Sequence, residues 1–165
     1  MLYFYRIRKP AIPDLSGVPD KRNHSLHEHS VYRILDANCN RLREALRVIE
    51  EYFRFLVSNE NASIELKQLR HALVEIERKI GQVSLLEHRD TVTDCFADGN
   101  RPEEMIRPTP LDLLRANFKR AQEAARVVEE FAKLTPAPET SGDAKRMRFE
   151  LYRLEQHYCG NNADG

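Results

Sequence analysis

ILDANCNRLREALRVIEEYFRF, residues 34–55, returns seventy-nine residues later as LLRANFKRAQEAARVVEEFAKL, residues 113–134, and this repetition sets the architecture. The copies share Ala37/Ala116, Asn38/Asn117, Arg41/Arg120, Glu44/Glu123, Ala45/Ala124, Arg47/Arg126, Val48/Val127, Glu50/Glu129 and Glu51/Glu130. At about 100° per residue, Leu35, Leu42, Leu46, Ile49, Phe53 and Leu56 form one apolar stripe, the seam of an amphipathic helix. Most of the shared residues fall beside that seam, on a second, polar face. Pairs one helical turn apart, such as Arg47 with Glu51 and Arg126 with Glu130, are what a solvated face would use. Surface pairs are interchangeable and nearly neutral, however, so the same Asn, Arg and Ala kept twice point to a task for that face beyond solvation. Structural need and common descent of the two copies are the competing explanations.

Outward from the repeat, helix signals occur in order. Ser25 and Glu28 form a capping box, which predicts that the first helix starts there or near Ser30; it ends near Val57. Ser63 is the expected cap of a second helix, in which Ile64, Leu66, Leu69, Leu73, Ile76 and Ile80 keep an apolar face until Gly81 stops it. A short helical turn and irregular loop text come next. Thr109, Pro110 and Asp112 announce the next helix as N-cap, first helical proline and first-turn acid. It runs to about Leu134, and residues 143–158 make a fourth helix after TPAPETSGD.

Slid by seventy-eight residues, 66–80 lies over 144–158 and matches Lys67/Lys145, Arg70/Arg148, Leu73/Leu151 and Glu77/Glu155. The repeated unit is therefore a helical hairpin. The expected fold is all-α, a bundle built from a duplicated helical hairpin with pseudo-two-fold symmetry. Repeat one covers about 30–80 and repeat two about 109–158, inside a single helical domain, 25–159, that comes after an irregular, proline-bearing arm, 1–24. Such symmetry would bring the two polar faces toward a shared cleft.

With 165 residues, 41% of them hydrophobic, the chain can bury one sizeable core. Lysine plus arginine equals aspartate plus glutamate, so no overall positive field recruits nucleic acid. Cys39, Cys95 and Cys159 are an odd number, far apart, which argues against a disulfide framework and for a reducing, cytoplasmic setting. MLYFYRIRKP has too short an apolar run for a signal core, and nothing approaches a membrane span. His24, His27 and His29 lie close together but lack a second ligand cluster, so zinc is disfavoured. A homodimer is compatible with the sequence.

No phosphate-binding P-loop is present, and HRD at 88–90 lacks the partner asparagine of a protein-kinase catalytic loop. Arginines with acids beside them remain: Arg41, Arg47, Arg89, Arg120 and Arg126, with Glu44, Glu123, Asp90 and Asp94. Guanidinium forks suit phosphate oxygens, and carboxylates can hold magnesium while leaving it water ligands. That combination fits phosphoryl transfer by positioning and charge neutralisation. It also fits a purely structural network.

The motifs LDANCNRLREALRVIEEYFRF, LRH at 69–71, RDT with Asp94 three residues on, ANFKRAQEAARVVEEFAKL and RFELYRLE at 148–155 resemble the ThiD2 family over about residues 31–157. This is a helical domain found alone or in front of thiamine-phosphate synthase. The resemblance implies a kinase that converts hydroxymethylpyrimidine phosphate, a small-molecule substrate, to its diphosphate with ATP and Mg2+ in thiamine biosynthesis. Carried over by motif position, Arg41, Arg120, Arg89 and Asp90 are expected as catalytic. Asn38, Arg47, Asn117 and Arg126 are expected to bind substrate, and Asp94, Glu44 and Glu123 the metal. The loop DCFADG departs from the family pattern, with its glycine delayed to Gly99. The alternative is a non-catalytic helical module that binds or regulates thiamine-phosphate synthase.

Overall fold

Leu35, Leu42, Leu46, Ile49 and Phe53 are each no more than 3% exposed, so the seam of the repeat is the buried face of the first helix. The protein, seen here in a computed structural model, is described over residues 21–91 and 107–160, with side chains from residue 27 onward. Its helices are α1 (Lys21–Glu51), continued by a π-helical turn (Tyr52–Leu56), then α2 (Glu60–Ile80), the short α3 (Gln82–Glu87), α4 (Pro110–Ala132) and α5 (Thr140–Cys159). No strand occurs among the described residues. α1 packs chiefly on α4, α4 on α5, α1 on α2 and α2 on α5, which closes a ring of four long helices around one core.

Local chemistry accounts for most boundaries. Thr109 accepts from the Asp112 amide at 3.1 Å ahead of Pro110, as expected. Gly81 ends α2 at φ +113°, a conformation open to glycine. Three boundaries differ from the sequence reading, the last being α5, which starts at Thr140, inside TPAPETSGD, and not at 143. α1 already passes through Ser25, so the Ser25/Glu28 pair does not mark its start. α2 is capped by Asn59, whose side chain accepts from the Ala62 amide at 3.0 Å, and Ser63 lies in the first turn, donating its hydroxyl to the Asn59 carbonyl.

The π turn changes which residues of the repeat are exposed. Val57 donates to the Tyr52 carbonyl five residues back, and Asn59 reaches the Phe53 carbonyl. Widening the helix by one residue rotates its last side chains away from the seam. Phe53 stays buried, whereas Leu56, expected in the stripe, is 60% exposed beside Phe55 at 66%. Ile64 is likewise exposed, because it lies well off the line through Leu66, Leu69 and Leu73.

Within each hairpin, polar ties join the two helices. Glu50 of α1 pairs with Arg70 of α2, and Glu129 of α4 with Arg148 of α5 at 2.8 Å. One seam further along, Glu77 holds Arg43, and Glu155 accepts from Gln122 at 2.7 Å. Glu50, Glu129 and Glu77 are buried, as acids in a core must be when they are paired. Buried Asn38 and Asn117 each donate to the carbonyl one turn back, Ile34 and Leu113, at 2.8 Å. Ala45 and Ala124 are buried too, and small side chains there let helix axes approach.

Cys39 sits under this network, and burial first, then the nearby Glu77 carboxylate, pushes its thiol up to about 12. In the unfolded chain it ionises near 9.0. The native state keeps the proton across that interval, so the Cys39 contribution is intact below pH 9 and is lost as pH rises from there toward 12. The slope is at most about 1.4 kcal/mol per pH unit. Denaturation midpoints measured between pH 8 and pH 10.5 are expected to fall more steeply for the wild type than for Cys39→Ala. Parallel slopes would assign alkaline destabilisation to the other raised groups, Tyr32, Tyr158 and Cys159.

Candidate functional site

Arg33, Asp36, Ala37, Asn40, Arg41 and Glu44 recur on α1 at helical spacing and line one wall of a cavity of about 260 Å³. Its other wall is Arg89, Asp90 and Thr91, just beyond α3. The end of α3 brings them there. His88 caps the helix with its amide on the Ser84 carbonyl, and its ring stacks on Tyr32 at 5.2 Å and meets His29 edge-on at 5.0 Å. The next residue then reaches back to α1.

Arg89 forks onto Asp36, donating Nε to Oδ2 at 2.8 Å and Nη2 to Oδ1 at 2.7 Å. Arg33 pairs with Asp90 at 3.3 Å. The bidentate geometry is the strong form of this contact, and the hydrogen bonds to Asp36 raise the Arg89 pKa further. Asp36 is buried, so the fork compensates a carboxylate that would otherwise be costly in the interior. These two pairs buckle the segment after α3 onto α1. Arg41 and Glu44, in contrast, are exposed and make no ion pair among the described residues. They are the groups of the cavity left to meet a ligand or a partner, one cation beside one anion.

The residues expected from the sequence divide accordingly. Arg41, Glu44, Arg89 and Asp90 share the cavity. Asn38 and Asn117 are buried with their amides spent inside their own helices. Arg47 lies 3.5 Å from Glu50 and 3.6 Å from Glu51, and Arg126 lies 2.8 Å from Glu129 and 2.9 Å from Glu130. Arg120 and Glu123 are exposed on α4 and are not part of the cavity wall, so the two repeated faces do not share it. Asp94 and the DCFADG loop lie outside the described residues. For magnesium, Glu44 and Glu123 stand on different helices, and among the described residues no group of three or more His, Cys, Asp or Glu could hold a metal ion.

Asp36, Arg33 and Asn40 escaped the sequence reading. Asp36 did carry a signal: an acid on the edge of the seam, next to Leu35, has to find a cation when the helix is buried. Which cation, fifty-three residues away, was not legible.

The sequence profile of the ThiD2 family matches residues 33–157. Among curated relatives, thiamine-phosphate synthase of Nostoc punctiforme is 41% identical over 131 residues, 79% of this chain and 36% of its own length. That of Gloeobacter violaceus is 40% identical over 137 residues, covering 83% and 39%. The Thermosynechococcus vestitus protein of the same name is 45% identical over 124 residues, covering 75% and 34%. The chain thus spans little more than a third of the length of these relatives. No solved structure matches it.

These findings correct the expected activity. Relatives near 40% identity over most of the chain bear the name of a synthase and not of an ATP-dependent hydroxymethylpyrimidine-phosphate kinase. The physical reason the residues misled is visible in the structure. Arginines beside acids suggested phosphoryl transfer, yet Arg89 is occupied by Asp36 in a tie between α1 and the segment after α3, and Arg47 and Arg126 pair with acids of their own helices, Glu50 and Glu129.

Proposed function

The chain belongs to the ThiD2 family, and on that premise we propose that it is a helical module that binds and regulates a thiamine-phosphate synthase. The observation that carries this reading is that a matching segment makes up about a third of proteins that bear that name. A segment joined to a synthase in one chain works at high effective concentration beside it, and a homologous segment supplied separately needs a surface to find the same neighbour.

The π turn provides such a surface. Val48, Tyr52, Phe55, Leu56, Pro110 and Leu113 line an apolar hollow of about 430 Å³, with Arg47 and Glu51 on its rim. Phe55, Leu56 and Leu113 are 66%, 60% and 38% exposed. Apolar side chains grouped this way, with charges around them, have the anatomy of a protein-docking patch. Thiamine biosynthesis is the setting this reading gives the protein. No helix among the described residues is long and apolar enough to cross a membrane.

We also read the two hairpins as copies of one unit related by a pseudo-two-fold axis. The matched ties Glu50–Arg70 and Glu129–Arg148, and Glu77–Arg43 and Glu155–Gln122, support this. On this reading much of the repeated polar text is hairpin carpentry.

The test mixes the purified chain with one of the named relatives expressed without its matching segment. Sedimentation is expected to give a complex with micromolar affinity, and the synthase rate is expected to change on binding. Phe55→Asp, at an exposed position, is expected to weaken association at least tenfold, about 1.4 kcal/mol or more, with helicity unchanged. No complex at about 100 µM of each protein, together with an unaltered rate, would end this proposal.

A further inference from the structure

The two copies of the repeated text end in opposite ways. In the first, Val57 donates to the Tyr52 carbonyl five residues back at 3.1 Å, which widens the helix into the π turn. In the second, Leu134 donates to Phe131 at 3.0 Å and Thr135 to Ala132 at 3.1 Å, each three residues back, which tightens the last turn. The counterpart of Val57 in the second copy is Pro136. A proline has no amide hydrogen, so the bond that makes the π turn has no donor there.

The exposures that result are the reverse of what polarity asks. Thr135 keeps the seam line of Val128 and Ala132 and is 8% exposed, with its hydroxyl donated to the Ala132 carbonyl at 2.7 Å. Leu56, the apolar member of the matched pair, is 60% exposed. Phe53 supplies part of the cause. It stands where the second copy has the small Ala132, and its buried ring meets that of Tyr158 at 4.7 Å, filling the end of the seam.

The backbone is strained at the same place. Ser58, directly after the turn, lies at φ +55° and is the one non-glycine residue with positive φ among the described residues. A leucine left in water and a serine held in the left-handed region both disfavour this end in the isolated chain. What they produce is the wall of the apolar hollow, which Leu56 and Phe55 line together with Leu113.

We propose that the π turn is the element that specifies docking: it presents Leu56 beside Phe55 as paired anchors for an apolar recess on the synthase, and complex formation depends on this register of the helix end. The inference rests on the synthase-docking reading above and deepens it. Binding energy at such patches concentrates in a few bulky side chains that enter a pocket. An α-helical end would return Leu56 to the seam and leave Phe55 without its neighbour.

The test uses the full chain and one of the named relatives expressed without its matching segment. Leu56→Ala, at an exposed position, is expected to weaken the complex at least about tenfold with the melting midpoint in place. Deletion of Val57 removes the surplus residue and keeps both anchors in the sequence, and Phe53→Ala opens the seam without changing the chain length. Each is expected to turn Leu56 inward and to weaken the complex by a similar factor with helical content retained. Leu134→Ala, at the exposed counterpart of Phe55, is expected to bind as the wild type does. Register is read separately in the free chain by NMR couplings across hydrogen bonds. The Val57 amide is expected to couple to the Tyr52 carbonyl in the wild type, and the Leu56 amide to that carbonyl in the deletion and Phe53→Ala variants. A wild-type complex matched in affinity by Leu56→Ala or by the deletion would overturn the inference and leave the docking reading standing, as would weakened binding with no change of coupling. Absence of a wild-type complex would end both.

Discussion

Replacing Phe118 by alanine is expected to cost about 3–5 kcal/mol of folding stability, read as a lower denaturant midpoint with an unchanged slope. Among the described residues Phe118 is the largest of the wholly buried side chains, and it sits on the inner face of α4, the helix that packs against both α1 and α5. Truncation removes its transfer free energy and leaves a cavity that four surrounding helices cannot close together. Its counterpart in the first copy is Cys39, also buried, so the halves set a large and a small side chain at matched positions. Arg120→Ala, two residues further on the exposed side of the same helix, is expected to change stability by no more than about 0.5 kcal/mol. A loss below about 1 kcal/mol for Phe118→Ala would mean that the core is not centred on α4.

Glu129→Ala is expected to cost about 2–3 kcal/mol, more than removing any exposed ion pair of the repeat. The Glu129 and Arg148 side chains are 7% and 12% exposed, so water screens this pair little. Without the carboxylate, Arg148 keeps only its long contact to the Tyr152 hydroxyl, 3.3 Å, and its ring contacts. A guanidinium left near-buried without its anion is the expensive state, so Glu129→Leu with Arg148→Leu is expected to regain much of the loss. A double-mutant cycle by chemical denaturation measures the coupling. Additive single losses would show that the pair is incidental and would remove this tie as a reason for the repeated hairpin text.

Together these experiments separate two kinds of repeated residue. Glu50 and Glu129, Asn38 and Asn117, and Ala45 and Ala124 are buried, and each has a packing or pairing task in both hairpins. Arg41 and Glu44 with Arg120 and Glu123 are exposed in both. Only the first of these exposed pairs lines the cavity with Arg89 and Asp90. Repetition in sequence therefore reports burial and pairing more directly than it reports a shared chemistry.

The sequence by itself determined the local part of the molecule. Helical periodicity located the seams, because burial of one face repeats every turn whatever the neighbours are. Thr109 and Gly81 marked their boundaries because capping depends on groups within a few residues. The motif text also identified the family. Tertiary structure alone decided the pairings between distant residues: Arg89 on Asp36, Arg70 on Glu50 and Arg148 on Glu129. It also set the π turn that carries Leu56 out of its stripe. An arginine's own sequence surroundings are the same whether its guanidinium faces a ligand or a buried carboxylate. The choice is made by which helix packs beside it, and that is settled only when the whole core closes.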